Sequence, residues 1–125
     1  MMERHTRSTG VLGEEAACNY LKDKGYRILT RNYYGYGCEI DIIAESGDTM
    51  VFCEVKTAFS PNFGSPVTWV TPKKIRHIAR AATEYIISHG ISERPFRFDI
   101  IGLTAVDGGF EITHIEDAFI APVNL

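Results

Sequence analysis

Apolar and polar positions in the first part of the chain recur with a helical period. From about residue 9 to residue 24, Val11, Ala17, Cys18, Tyr20 and Leu21 fall on a common side, and Gly25 supplies a stop. The period then shortens to that of strands. Residues 26–34 are rich in β-formers, Gly35-Tyr36-Gly37 reads as a turn, and residues 39–44 (EIDIIA) and 49–56 (TMVFCEVK) are two further strands. Only Glu45-Ser46-Gly47-Asp48 separates that last pair, which predicts a hairpin. Residues 57–70 contain Pro61, Gly64 and Pro66 and read as a loop inside one domain. Helical spacing returns with Ile75, Ile78, Ala79, Ala82 and Ile86, with Thr71 as N-cap, Pro72 in the first turn and Gly90 at the end. Residues 96–103 and 110–115 are two final strands flanking Asp107-Gly108-Gly109.

The resulting order, α-β-β-β-α-β-β, combines a hairpin with one helical crossover and predicts an α/β fold: a mixed β-sheet flanked by helices. With 125 residues, 45% hydrophobic and 11% aromatic, the chain is sized for a single domain spanning residues 1–125. No stretch has the length of a membrane span, and the charged start MMERHTRSTG has no apolar segment behind it. The expectation is a cytoplasmic protein without a membrane partner. Cys18, Cys38 and Cys53 are odd in number and lack CxxC spacing, so neither a disulfide partner nor a structural zinc site is expected.

A net charge of -3 at first argues against a polyanionic partner. Its distribution changes the picture. Asp99, Asp107, Glu111, Glu116 and Asp117 follow the last basic residue, so all thirteen Lys and Arg share residues 1–98 with eleven of the sixteen acids. If several of those eleven hold metal ions, the surface left for nucleic acid is net positive.

Strand alternation places Glu54 and Lys56 on one face of their strand, and Glu39 and Asp41 on one face of theirs. A two-residue turn at Gly47-Asp48 would set Asp41 opposite Glu54 and Glu39 opposite Lys56. Facing carboxylates repel by roughly 0.2–1 kcal/mol on a sheet, and a hard divalent cation such as Mg2+ or Mn2+ would offset that repulsion. Lys56 beside them suits electrostatic stabilisation of a phosphate under attack better than general-base work, because neighbouring carboxylates favour its ammonium form. Read alone, D…ExK describes a solvated ion pair on a sheet face equally well. Glu14 lies among the apolar positions of the first helix while Glu15 faces outward. A carboxylate there seeks a cation, a metal or a hydrogen-bond network, or simply favours the helix dipole.

Gly13-Glu14, Tyr20-Leu21, Gly25-Tyr26, Arg31-Asn32, the EIDIIA run, Val51-Phe52-Cys53-Glu54-Val55-Lys56-Thr57, and Arg97-Phe98-Asp99-Ile100-Ile101 together resemble the YraN family of small bacterial proteins over nearly the whole chain. That family is described as predicted endonucleases similar to archaeal Holliday-junction resolvases. The resemblance implies a restriction-endonuclease-like, PD-(D/E)XK fold and metal-dependent cleavage of DNA, including branched or junction DNA. It implies that Asp41 and Glu54 bind metal, that Glu14 completes the site, and that Lys56 is the catalytic lysine; Glu39 would place Lys56. The junction-cleaving relatives imply a homodimer, for which no surface is legible. The family pattern carries glycine where Cys38 stands, commonly valine where Cys53 stands, and an arginine near Ala58. A nucleic-acid-binding or assembly module with the same fold and no turnover is the alternative.

Lys73, Lys74, Arg76 and Arg80 cluster early in the second helix and form a candidate phosphate-binding face, or an ordinary solvated one. Tyr33, Tyr34 and Tyr36 either stack on a base or pack in the core and turn. Phe63 and Trp69 read as hydrophobic anchors, Asp99 as structural, Cys18 as a small hydrophobe, and the four histidines are too dispersed for a zinc motif.

Overall fold

In the computed structural model, residues 2–58, 64 and 66–125 are described, with side chains described for all of these except 2–9, 66 and 67. Phe63 lies outside the described residues, as does the side chain of His5. The elements are α1 (Met2–Asp23), β1 (Arg27–Gly35), β2 (Cys38–Ser46), β3 (Thr49–Ala58), a 3-10 turn (Pro66–Trp69), α2 (Pro72–His89), β4 (Phe96–Val106) and β5 (Gly109–Ile115). This is the expected order α-β-β-β-α-β-β. One helix differs in extent: α1 begins at Met2, a full two turns before the apolar pattern that marked it. No described helix is long and apolar enough to cross a membrane.

The sheet runs β1-β2-β3-β4-β5. All neighbours are antiparallel except β3 and β4, which are parallel and joined through α2. Three two-residue turns close the antiparallel connections, at Tyr36-Gly37, Gly47-Asp48 and Asp107-Gly108. Tyr36 and Gly37 both take positive φ, 51° and 76°, the geometry that matches strand twist in a tight hairpin. On α2, Thr71 caps the helix by accepting from the Lys74 N–H at 3.1 Å, and Gly90 ends it at φ 62°.

Two apolar layers cover the sheet. Ala17, Cys18 and Leu21 of α1 pack on Ile42, Val51 and Ile101. Ile78, Ala82 and Ile86 of α2 pack on Ile40, Phe52 and Ile100, and Phe119 and Ala121 of the C-terminal segment join that layer. Val11 departs from expectation. It is 59% exposed, while Gly13, two residues on, lies against Thr57, the penultimate residue of β3. All three cysteines are free and buried.

The two layers exchange sides part-way along β1 and β2. Ile40 packs with α2, yet Ile42 and Ala44 pack with α1 while Ile43 packs with α2. A regular strand would keep Ile40 and Ile42 on one face, so the phase changes at Asp41. The neighbouring strand does the same. Arg31, opposite Ile42, reaches Glu15 on α1, and Tyr33, opposite Ile40, packs with α2. Between them stands Asn32 at φ 51°, a left-handed conformation that asparagine tolerates far better than β-branched residues do. Asn32 and Asp41 therefore occupy the same level of adjacent strands, at the crossover between faces.

Candidate active site

The β2–β3 register runs from Ser46↔Thr49 to Ile42↔Cys53. The next pair in that register is Asp41 with Glu54, and there the ladder opens while β3 continues alongside β4, Glu54 with Ile100 through Ala58 with Thr104. A side chain fills the gap. Asp41 Oδ2 accepts from the Val55 backbone N–H at 2.8 Å, replacing the carbonyl that a continuing ladder would have supplied. The remainder of the Asp41 carboxylate is left beside Glu54, within hydrogen-bonding reach of it.

Glu54 and Lys56 follow Met50 and Phe52 on the α2 side of β3. Glu54 is only 3% exposed, and its Oε1 has no hydrogen-bond partner among the described residues. Its Oε2 lies 3.6 Å from Lys74 Nζ. Burial, then the charge and hydrogen bond of Asp41, push the Glu54 carboxyl up to about 8 against the lowering influence of Lys74 and Lys56. A buried carboxyl with one oxygen unsatisfied, beside a second carboxylate, is an environment that a positive ion would complete.

Glu14 approaches from α1 and is half-buried rather than buried. Burial and the nearby Asp41 raise its carboxyl above the ordinary glutamate range, while Arg31 and a hydrogen bond from Asn32 pull it down. The close pass that brings it in depends on Gly13, where a Cβ would stand 2.4 Å from Thr57 Oγ1. Among the described residues, however, no group of three or more His, Cys, Asp or Glu is gathered tightly enough to hold a metal ion. Asp41 and Glu54 are in contact, and Glu14 acts on Asp41.

Glu39 is placed differently from expectation. It pairs with Tyr34 on β1, whose hydroxyl bonds to it and is raised in consequence, and it forms no ion pair with Lys56. The open ladder is the reason: beyond Ile42↔Cys53 no register holds Glu39 against Lys56. The basic cluster also divides. Lys73, Arg76 and Arg80 are exposed on one stripe of α2, spaced three and four residues apart. Lys74 is turned towards Glu54 and belongs to the site. Arg80 lines an open recess with Tyr36, Ile87 and Pro122.

Of the tyrosines, Tyr33 packs edge-on against Tyr85 and donates to Glu84, whereas Tyr34 and Tyr36 are 70% and 56% exposed. Asp99 is structural as expected. It is fully buried, held by Arg97 at 3.0 Å, by His114 Nε2 at 2.7 Å and by the Asp117 N–H at 3.0 Å. These partners outweigh burial and keep its carboxyl below the usual aspartate range. Asn32 is the site neighbour that pattern reading missed, and Lys74, expected on the phosphate-binding face, lies at Glu54 instead. Asn32 carried one signal, a turn-favouring residue inside a run of β-formers.

The chain is thus an α/β protein with an acid pair and lysines at an opening in its sheet, and its sequence places it in a family. It belongs to UPF0102, the family that the resemblance to YraN proteins indicated: the model described as "Uncharacterised protein family UPF0102" matches residues 13–103. A UPF0102 protein of Syntrophomonas wolfei is 42% identical over 113 residues, covering 90% of this chain and 98% of that one. One from Alkaliphilus oremlandii is 44% identical over 115 residues, with coverage of 90% and 98%. One from Geobacter sulfurreducens is 40% identical over 116 residues, with coverage of 92% and 91%.

Proposed function

We propose that the protein is a divalent-metal-dependent endonuclease of the PD-(D/E)XK type, restriction-endonuclease-like in fold, which hydrolyses phosphodiester bonds in DNA, branched or junction DNA included, in the cytoplasm. The observation that carries this reading is the meeting of Asp41 and Glu54 where the β2–β3 ladder opens, with Glu54 Oε1 buried and without a hydrogen-bond partner among the described residues and Lys56 two residues along the same face. Asp41 and Glu54 would hold Mg2+ or Mn2+, with Glu14 adding charge from α1. Bound there, the ion would supply Lewis-acid activation of a phosphodiester and of a water.

The chain's own groups have separable tasks. The Val55 N–H fixes one oxygen of Asp41 and so orients the other. Asn32 holds Glu14 by its amide. Lys56 stabilises negative charge developing on the phosphate, and the exposed stripe Lys73, Arg76 and Arg80 receives the nucleic-acid backbone. Tyr34, exposed beside Glu39, stands on the adjoining strand.

The absence of a ready-made group of three donors among the described residues favours a second reading, a nucleic-acid-binding or assembly module without turnover. One experiment separates the two. Duplex, single-stranded, flapped and four-way-junction DNAs are incubated with the purified protein and Mg2+ or Mn2+, beside Lys56→Ala. Cleavage by the wild type that the variant loses supports the endonuclease; binding without cleavage of any substrate, with either ion, leaves the module.

A further inference from the structure

Lys74 is the only described cation in ion-pair contact with Glu54, and its position is not that of a surface lysine. It sits in the first turn of α2, where its backbone N–H is fixed by Thr71. Its outward neighbours on that helix, Lys73 and Arg76, are exposed, whereas Lys74 is half-buried. Its Nζ reaches one oxygen of a carboxyl that is 3% exposed and whose other oxygen has no hydrogen-bond partner among the described residues. An ammonium at 3.6 Å is a partial solution to that burial, because it offsets charge at one Glu54 oxygen from beyond hydrogen-bond distance and leaves the other oxygen and the facing Asp41 unbalanced.

We infer that Lys74 is a built-in countercharge at Glu54 that a divalent cation displaces, and that the freed ammonium then becomes a phosphate-positioning group for the incoming nucleic-acid backbone; this rests on the reading of Asp41 and Glu54 as a metal site. A doubly charged ion sitting between the two carboxylates would repel an ammonium at Glu54. Lys74 has a flexible four-carbon stem and strong hydration, so it can leave without disturbing the Thr71 cap, which uses only its backbone. Its release adds a positive charge beside the stripe formed by Lys73 and Arg76. Metal entry and phosphate affinity are thereby coupled through one side chain, with the two carboxylates deciding which partner it has.

The test uses the full-length, metal-free protein, titrated with Mn2+ and followed by thermal melting. Lys74→Met keeps the stem and removes the charge. It is expected to bind Mn2+ more tightly than wild type, on the order of tenfold, because the ion no longer competes with an ammonium; Lys73→Met, one residue away and exposed, should match wild type. Lys74→Gln is the second variant, with the same expectation. Unchanged or weaker Mn2+ binding in both variants overturns the inference. In Ca2+, the salt dependence of binding to a short DNA duplex should flatten by about one in slope for Lys74→Met and, without any divalent ion, should match wild type. An equal loss with and without Ca2+ would make Lys74 a permanent phosphate contact and also overturn it. If wild type shows no Mn2+ response, or Asp41→Asn retains one, the metal site itself fails; an Asp41-dependent response that ignores Lys74 leaves the endonuclease reading standing and removes only the Lys74 coupling.

Discussion

Asp41 Oδ2 accepts a hydrogen bond from the Val55 backbone N–H at 2.8 Å across the gap where β2 and β3 part. One side chain therefore does two jobs: it substitutes for a missing ladder carbonyl and it presents charge to Glu54. Substitutions at this position should separate them. Asp41→Asn keeps an acceptor for Val55 and removes the negative charge that Glu54 faces, so in metal-free buffer above about pH 8, where Glu54 is ionised, it should melt at or above the wild type, but without the Mn2+-dependent rise. Asp41→Ala strands the N–H and should lose about 1–3 kcal/mol relative to Asp41→Asn in chemical denaturation. Equal stability of the two variants would show that the Val55 bond contributes nothing.

The pH dependence of stability should report Glu54. Folding holds its proton up to about 8, whereas an unfolded glutamate releases it near 4.5. Between those values the folded chain binds more protons than the unfolded one, so stability is full below the window and falls as pH rises through it. The expected loss in metal-free protein is on the order of a few kcal/mol between pH 5 and 9. Glu54→Gln should flatten that slope. A slope of the same size in the glutamine variant would assign it to other groups.

Gly13 sets how closely α1 approaches β3. A methyl group there would meet Thr57 Oγ1 at 2.4 Å, so Gly13→Ala should destabilise the protein although alanine is the better helix former by roughly 1 kcal/mol. Combining it with Thr57→Ala should recover much of the loss. Equilibrium denaturation of the two single variants and the double variant measures the coupling, and strict additivity would place the constraint elsewhere.

Neutralising Lys73, Arg76 and Arg80 to glutamine should weaken DNA binding alike for all sequences, each lost contact lowering the salt-dependence slope by about one. Lys56→Ala should instead leave affinity nearly intact and lower cleavage on the order of 100-fold. Fluorescence anisotropy with Ca2+ and a cleavage assay with Mg2+ distinguish these effects; a Lys56→Ala protein that binds as weakly as the stripe variants would make Lys56 one more backbone contact.

Element order and hairpin register were legible because apolar period and turn residues are local properties. Gly47-Asp48 alone brought Asp41 level with Glu54. What followed was not local. Nothing in EIDIIA announces that the strand changes face at Asp41, since Ile40, Ile42 and Ile43 are equally apolar and only the two packed layers reveal which of them went where. Glu39 was carried onto Lys56 by extending a ladder that in fact opens. Lys74 was grouped with its neighbours by proximity in sequence, although on a helix one residue is a turn of about 100°, enough to move a side chain from the solvent stripe to the site.

The irregularities of β1 bear on how copies of this chain behave when crowded. β1 is an outer strand of the sheet, and a straight outer strand is a template for another chain's backbone. This one is interrupted twice, by the register shift between Ile28 and Thr30 and by the left-handed Asn32, and it carries exposed Arg27 and Arg31. Its free amides and carbonyls are consequently out of step with any regular strand laid against them. The residue at which β1 changes face thereby also discourages sheet-to-sheet aggregation, and replacing Asn32 by a strand-forming residue such as valine would cost the protein solubility as well as its hold on Glu14.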